Sequence, residues 1–437
     1  MKELFKLFYK SSGVSTDTRK IQNNCLFIAL KGDNFNGNTF AKQAIKKGAS
    51  FAIVDEKEFA DNKKIFLVND SLLFLQELAR HHRKKINKPV IGITGTNGKT
   101  TTKELINCVL SVKYNVLATK GNLNNHIGVP LTLLEISPKT DIAVIEMGAS
   151  KRGDIKELCD IALPDYGIIT NIGNAHMEGF KTFDGVFKTK MELFDYIENT
   201  GGSFIYNGLD STFDVINELY NKAKLFKFGD RDFINANLIN ADPLLEFSWK
   251  DASGHENNIK TKLVGSYNLA NFLVAIVFGH LFKIESKKIN KALCEYTPSN
   301  NRSQLAYSKS NQIIIDCYNA NPSSMKAALK SIKESNKKNK VVILGDMLEL
   351  GKKSEIYHRE LSGLINSSDI DKVFVKGEKS LFTYKNLKKN KRGNIFQCKE
   401  DVDLILKNII ANNDYLMIKG SNATGLNIIS NAMIKGI

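Results

Sequence analysis

The chain has 437 residues, 42% of them hydrophobic, and a formal net charge of +16. That length corresponds to roughly two to four domains, and no run approaches the ~18 consecutive apolar residues of a membrane-spanning helix. The opening MKELFKLFYKSSGVSTDTR lacks the apolar core and small-residue site of a secretion signal, so no cleaved leader is expected. Cys25, Cys108, Cys159, Cys294, Cys317 and Cys398 are scattered without a CxxC pair, which argues against a zinc site or a disulfide framework and fits a reducing cytoplasm. The excess charge is mostly lysine in short runs such as KESNKKNK and KNLKKNKRG. With no arginine-rich helix and no aromatic RNA-binding motif, it reads as a solvated surface suited to acidic, phosphate-bearing substrates rather than to nucleic acid.

In chain order, residues 1–86 mix short strand-like runs (CLFIAL, FAIVD, KIFLV) with helical stretches (NTFAKQAIKKGA, SLLFLQELARHHRKKI) and predict a small α/β domain. KINKP marks a linker, broken at Pro89. Residues 87–297 alternate apolar strands (VIGIT, NVLAT, DIAVIEM, YGIITNI, SFIYN) with amphipathic helices, the signature of a parallel sheet built from βαβ units. From Phe233 to Leu263 the pattern turns strand-like and polar, as in an added antiparallel piece, before GSYNLANFLVAIVFGHLF restores an apolar helix. Residues 298–437 alternate again (QIIIDCYNA, KVVILGDM, DKVFVKG, DYLMIKG) and predict a second, Rossmann-like α/β domain. The fold class is therefore α/β in three domains, the middle one of P-loop type.

PVIGITGTNGKTTTKEL sets glycines between an apolar strand and a helix with Leu105, Ile106, Val109 and Leu110 on one side. A strict P-loop has glycine five residues before Gly98, where this chain has Ile93. The strand–loop–helix order still makes Gly95, Thr96, Asn97, Gly98, Lys99, Thr100 and Thr101 a phosphate cradle: backbone N–H groups and a helix N-terminus favour anions. Lys99 would neutralise phosphate and Thr100 would offer its hydroxyl to Mg²⁺. Glu146 ends a buried-looking strand on the same sheet edge and is the candidate carboxylate for that metal. His176 lies just beyond the next strand, where spacing alone leaves packing and ligation equally open. Lys188 and Lys190 share one amphipathic helix, and periodicity does not choose between them.

GITGTNGKTTT, GNLNNHIGVPLTLL, IEMGAS, TNIGNAHMEGF, YNANPSSMKAAL and LGDMLELG follow one another in order. Together they resemble the Mur ligases of peptidoglycan synthesis, over a span from STDTR to KGS. The glycines at 92, 95 and 98 match that family's variant of the loop, which folylpolyglutamate synthases share. YNANPSSMKAAL and LGDMLELG are most similar to the branch whose acceptor is D-alanyl-D-alanine. The resemblance implies a cytoplasmic, monomeric ligase in which ATP phosphorylates the terminal carboxylate of UDP-N-acetylmuramoyl-tripeptide and the dipeptide amine then attacks the acyl phosphate. It implies Lys99, Glu146, His176 and Lys190 as catalytic residues and two Mg²⁺ ions, one at Thr100 and Glu146, the other at His176 and Lys190, the latter carbamylated by CO₂. It further implies Asn268 and Asn271 at the adenine, Arg302 and Asp316 at the nucleotide, and Tyr318, Asn319 and Asn321 near ATP and dipeptide. Ser15, Thr16, Asp17 and Arg19 would meet the uridine diphosphate, and Asn124 and Asn125 the UDP-sugar. On this reading 1–86 binds the UDP-sugar, 87–297 binds ATP and 298–437 contacts dipeptide and nucleotide, with hinges at KINKP and YTPSNN.

The sequence departs from the family at three places. Asn300-Asn301-Arg302 replaces Pro-Gly-Arg; Asn36-Gly37-Asn38-Thr39-Phe40 replaces a histidine-bearing motif; and Asn422 stands where an arginine is usual, leaving Lys419 or Lys376 as substitute cations. Asp346 and His358 match family positions without an assigned role. A ligase adding the third peptide residue would carry an Asp-Asn-Pro-Arg motif, which is absent here. A folylpolyglutamate synthase-like enzyme and a nucleotide-switched regulator are the remaining alternatives.

Overall fold

The aliphatic runs become strands and the 3.6-periodic runs become helices, arranged around three main sheets. The structure, a computed structural model, describes residues 2–229, 233–251, 254–299, 301–308, 311–396 and 415–435; Asn300 and Cys398 lie outside the described residues. The first sheet is parallel and four-stranded, in the order Val14–Ser15, Leu26–Ile28, Phe51–Val54, Ile65–Leu67. The helix Ser71–Ile86 follows it. Asp70 caps its start by accepting from the Leu73 N–H, and Asn87, left-handed at φ 49°, ends it. Buried Arg83 donates to the carbonyls of Ala162 and Leu163 and pairs with Asp165 at 2.8 Å. Asp165 also accepts the Val90 N–H. The KINKP linker is thus spanned by an arginine clamp from the first segment onto the second.

The second sheet is six-stranded and fully parallel, in the order Lys224–Phe228, Ser203–Asn207, Tyr166–Ile169, Val90–Thr94, Ile142–Glu146, Val116–Ala118. Val90–Thr94 is central: the chain leaves it for the far edge on one side, returns beside it, then crosses to the other. Such a reversal opens a crevice at the carboxyl ends of the central strands, where ligands bind in open α/β sheets. Gly92 serves packing here. A Cβ at that position would press on Pro164, Met147 and Leu193 at 3.1–3.3 Å, so its absence lets the helix Phe183–Thr200 lie close against the sheet.

The third sheet has nine strands. Gln312–Asp316, Tyr415–Lys419, Lys340–Gly345, Lys372–Lys376 and Arg392–Phe396 form its parallel part. Gln304–Tyr307 pairs antiparallel to the first of these. The polar stretch after Phe233 completes the sheet as three antiparallel strands, Asn235–Asn240, Leu244–Lys250 and Glu256–Val264, joined to the rest by one register pair, Leu263 with Gln304. These strands are half-buried ribbons. Burial alternates along Glu256–Val264, and Phe247, Trp249 and Ile259 pack with Phe272 of the apolar helix Leu269–Leu281. Trp249 is fully buried, and its indole N–H donates to Asn290 at 2.9 Å. Trp249→Ala leaves a large cavity and an unmet acceptor. It is expected to destabilise the chain by about 3–5 kcal/mol, read as a lower denaturant midpoint at unchanged slope.

Candidate active site

The phosphate-type loop is fixed by its neighbour strand. At Gly95, φ is 142° and a Cβ would collide with the Thr170 hydroxyl; Gly98 sits at φ 78°, so both positions require glycine. The Thr96 N–H donates to the Asn171 carbonyl at 2.9 Å and the Asn97 N–H to Asn171 Oδ1 at 3.0 Å. In return, the Thr170 hydroxyl and the Asn171 amide donate to the Asn97 carbonyl at 2.5 and 3.0 Å. The helix Lys99–Leu110 starts at this loop, with Thr100, Thr101 and Thr102 buried in its first turn. Its free N–H groups and dipole make an anion site. Lys99 Nζ reaches back over the loop to the carbonyls of Gly95 and Thr96 at 2.6 and 3.0 Å. Burial lowers its pKa to about 8, with Arg302 adding to the effect and Glu146 opposing it.

A cleft of about 970 Å³ opens above this loop. Its walls carry Thr96, Asn97, Gly98, Lys99, Thr100, Thr101, Asn124, Asn125, Glu146, His176, Asn268, Asn271, Arg302, Asp316, Tyr318 and Asn319. Residues more than 200 positions apart therefore face one space. Glu146 is 2% exposed; its Oε1 accepts from the Asn124 amide at 2.8 Å, while Oε2 is buried with no partner. A buried, half-satisfied carboxylate is costly unless a cation completes it. Among the described residues no cluster of three or more His, Cys, Asp or Glu could hold a metal unaided. The donor set, one carboxylate oxygen and a threonine hydroxyl lining the same cleft, fits a hard cation of the Mg²⁺ type that takes its other ligands from phosphate and water.

Across the cleft, the Arg302 guanidinium stacks on the Tyr318 ring at 3.8 Å, and its Nε is buried without a partner. Asp316 is paired with Lys419, its register neighbour on the adjacent strand. Lys419 is thereby neutralised. Lys376, the other substitute cation for Asn422, lines a separate cavity of about 400 Å³ with Asp346, Leu348, Glu378 and Thr424. Asp346 accepts the Ser380 N–H at 2.7 Å, and His358 Nε2 accepts the Met347 N–H at 3.1 Å, so both hold loops in place.

Several candidates hold backbone or one another. The Asn268 amide donates to the Val264 carbonyl and the Asn271 amide to Asn268 Oδ1, while Thr102 donates to Asn271 Oδ1 at 3.0 Å. The two asparagines share a face, as their spacing of three predicts. Asn125 Oδ1 receives the N–H groups of Ile127 and Gly128. Asn321 is not on the cleft wall. It caps the helix Pro322–Glu334 and donates to Asn97 Oδ1 at 2.7 Å, while Asn97 donates to Ser323 at 2.8 Å. Ser323 and Asn171, which hold the loop from two sides, lie in the motifs YNANPSSMKAAL and TNIGNAHMEGF, but nothing in the sequence gave either a role.

The first-segment quartet does not line this cleft either. Asp17 caps the short helix Thr18–Lys20 and forks onto Arg19, which lowers its pKa to about 2. The Ser15 hydroxyl donates to the Asp17 carbonyl, and Thr16 is half-buried beside them. Asn38 is fully buried, bridging Asn36 and Asp55. Packing separates the two helical lysines. Lys188 is exposed and pairs with Asp184 at 2.8 Å, whereas Lys190 is 2% exposed and is not among the cleft-lining side chains, with its ammonium 5.8 Å from the centre of the Phe180 ring. Burial and the charge of Lys99 push the Lys190 pKa well below that of a free lysine. His176 has φ 50°, and its Nδ1 meets the carboxylate of Glu349.

Three family profiles match the chain: "Mur ligase family, catalytic domain" over residues 10–83, "Mur ligase middle domain" over 93–279, and "Mur ligase, glutamate ligase domain" over 301–422. The UDP-N-acetylmuramoyl-tripeptide–D-alanyl-D-alanine ligase of Bacillus subtilis is 35% identical over 97% of this chain and 93% of its own. MurF from Acinetobacter baumannii superposes with a TM-score of 0.89 at 27% identity, covering 99% of this chain and 98% of its own. MurF ligase from Thermotoga maritima, solved in complex with ADP, gives 0.86 at 25% identity, covering 100% and 99%.

The Lys99 ammonium is present below about pH 8 and lost above it. With ADP as a diphosphate probe, affinity is expected to fall as pH rises from about 7 to 9, with net proton uptake on binding near pH 8. Glu146→Gln removes the charge that favours the ammonium and should move the fall to lower pH. Calorimetry in buffers of different ionisation enthalpy reads both; a flat profile without proton uptake rules out Lys99 as the phosphate cation.

Proposed function

Since the chain belongs to the Mur ligase family, we propose that it is an ATP-dependent ligase that adds D-alanyl-D-alanine to UDP-N-acetylmuramoyl-tripeptide. The observation that carries this reading is the convergence in one cleft of two unpartnered buried groups of opposite sign, Glu146 Oε2 and Arg302 Nε, around a phosphate loop. The first suits a cation and the second an anion, as a metal-bound nucleotide requires. Segments 1–86, 87–297 and 298–437 serve as UDP-sugar, ATP and acceptor domains of a monomer. The five cysteines among the described residues are all free. No helix among the described residues is long and apolar enough to cross a membrane.

The reaction begins with two anions, the tripeptide carboxylate and the γ-phosphate. Lys99, the helix N-terminus and Arg302 offset their repulsion and hold the phosphates in line. The carboxylate oxygen bonds to the γ-phosphorus as the bond to ADP breaks, giving an acyl phosphate. The dipeptide amine then adds to the acyl carbon. Collapse expels phosphate, and the amine proton leaves to solvent or phosphate. Thr100 and Glu146 would hold one Mg²⁺ and His176 and Lys190 a second, supplying charge neutralisation at the phosphates.

Lys190 fits carbamylation on its own chemistry. Burial lowers its pKa well below that of a free lysine, with the charge of Lys99 acting in the same direction, which favours the uncharged form that adds CO₂. The resulting carbamate anion would have the charge of Lys99 nearby. Incubation with ATP, Mg²⁺, UDP-N-acetylmuramoyl-tripeptide and D-alanyl-D-alanine is expected to yield the pentapeptide, ADP and phosphate; product with a single amino acid instead would move the acceptor assignment. Lys190→Ala is expected to cut turnover by on the order of 10²–10³-fold, with partial recovery in formate or acetate. Full activity of the unrescued variant would remove Lys190 from the mechanism.

A further inference from the structure

Glu349 lies in LGDMLELG, which sequence comparison uses only as a family mark. In the fold it reaches out of the third segment, lines the cleft, and meets His176 Nδ1 of the second. The contact is fixed on both sides. Glu349 and His176 have φ of 61° and 50°, left-handed conformations that non-glycine residues adopt at a cost. The Glu178 N–H, two residues beyond His176, donates to the Glu349 carbonyl at 3.2 Å. Main chain and side chain thus clamp the same two loops. Nδ1 is buried and has no aligned hydrogen-bond partner among the described residues, so the Glu349 carboxylate is the contact it meets, while the His176 side chain is 31% exposed and the exposed part of the ring is its far edge, on the cleft side.

A neutral imidazole has one N–H and one lone pair. A carboxylate accepts only, so a carboxylate at Nδ1 selects the tautomer with the hydrogen there and leaves the lone pair on Nε2. We propose that Glu349 is a positioning residue for His176, a carboxylate delivered by the third segment that sets the imidazole tautomer and turns the Nε2 lone pair into the cleft. The side chain becomes ready to accept only when the third segment is docked. Docking and readiness are therefore one event, and another link between the segments, Asn97 with Asn321 and Ser323, holds the phosphate loop in the same event. The proposal rests on the reading of His176 as a metal-facing residue, but its first readout does not.

That readout is the ring itself. In protein labelled with ¹⁵N at histidine, with His176→Gln for assignment and ADP present, His176 is expected to show a protonated Nδ1 and an unprotonated Nε2. Glu349→Ala should return the ring to the solution mixture of tautomers, and Glu349→Gln, whose carbonyl still accepts, should retain the Nδ1–H form. A fully protonated imidazolium at neutral pH, or an unchanged tautomer in Glu349→Ala, overturns the proposal. Small-angle scattering of the same samples must give unchanged dimensions; opening of the molecule in Glu349→Ala would make Glu349 a latch and overturn its positioning role. Mn²⁺ titration of the ADP-loaded protein then tests the underlying reading. Glu349→Ala should weaken Mn²⁺ binding about 10–100-fold, as loss of such an outer carboxylate does, and His176→Ala at least as much. If His176→Ala leaves Mn²⁺ binding intact while the tautomer still depends on Glu349, the metal role of His176 fails and the positioning role stands.

Discussion

The loop Gly95–Gly98 is held from one side by the strand end Thr170–Asn171 and from the other by the helix start Asn321–Ser323, and the geometry of the cleft depends on that double grip. Bare glycine loops are floppy, because glycine gives up the most backbone entropy on ordering. Here the entropy is offset by at least five hydrogen bonds on two residues, Thr96 and Asn97. A cradle fixed before any phosphate arrives does not have to reorganise around it, which is the condition under which backbone dipoles stabilise charge most effectively.

The glycine spacing follows from the same grip. Gly92 is inside the strand and lets the helix bearing Lys190 come close; Gly95 gives way to Thr170; Gly98 turns the chain into the helix. A loop whose first glycine lets a helix pack close against the sheet couples the phosphate cradle to the buried lysine on that helix. This arrangement accounts for Ile93 at the position where a common P-loop has glycine: Ile93 is fully buried core on the face opposite that helix.

Local pattern carried most of the fold. The helix Ser71–Ile86 and the strands Val90–Thr94 and Ser203–Asn207 lie where their periodicity and caps predict, because their burial partners are set by period and by Asp, Asn and Gly punctuation. The site was legible where one residue type has one dominant use, as for Lys99, Thr100 and Glu146. It was not legible where tertiary packing decides. Lys188 and Lys190 are two positions apart and differ in that one meets water and the other the sheet. The family resemblance implies Lys190, and burial is what distinguishes it from Lys188 in the fold. The side-chain oxygens of Asn321 and Asn125 accept backbone N–H groups, a structural use the sequence did not show, since caps and ligand contacts draw on the same residue types; Asn125 lines the cleft all the same. Glu349 gave no signal, because its partner lies 173 positions earlier and is reached only across two segments.

The nine-stranded sheet has one seam of different character. Between the polar strands ending at Val264 and the strand Gln304–Tyr307 a single register pair, Leu263 with Gln304, makes the join, whereas the neighbouring ladder carries four. A sheet resists bending in proportion to the ladder it would have to break, so this seam is its most compliant line. Tyr267 and Ser303 bridge that line by a hydroxyl contact at 3.1 Å, and both also line the cleft. The mechanical weak point of the architecture and the wall of its reaction chamber are thus made of the same side chains, so load on one is felt directly by the other.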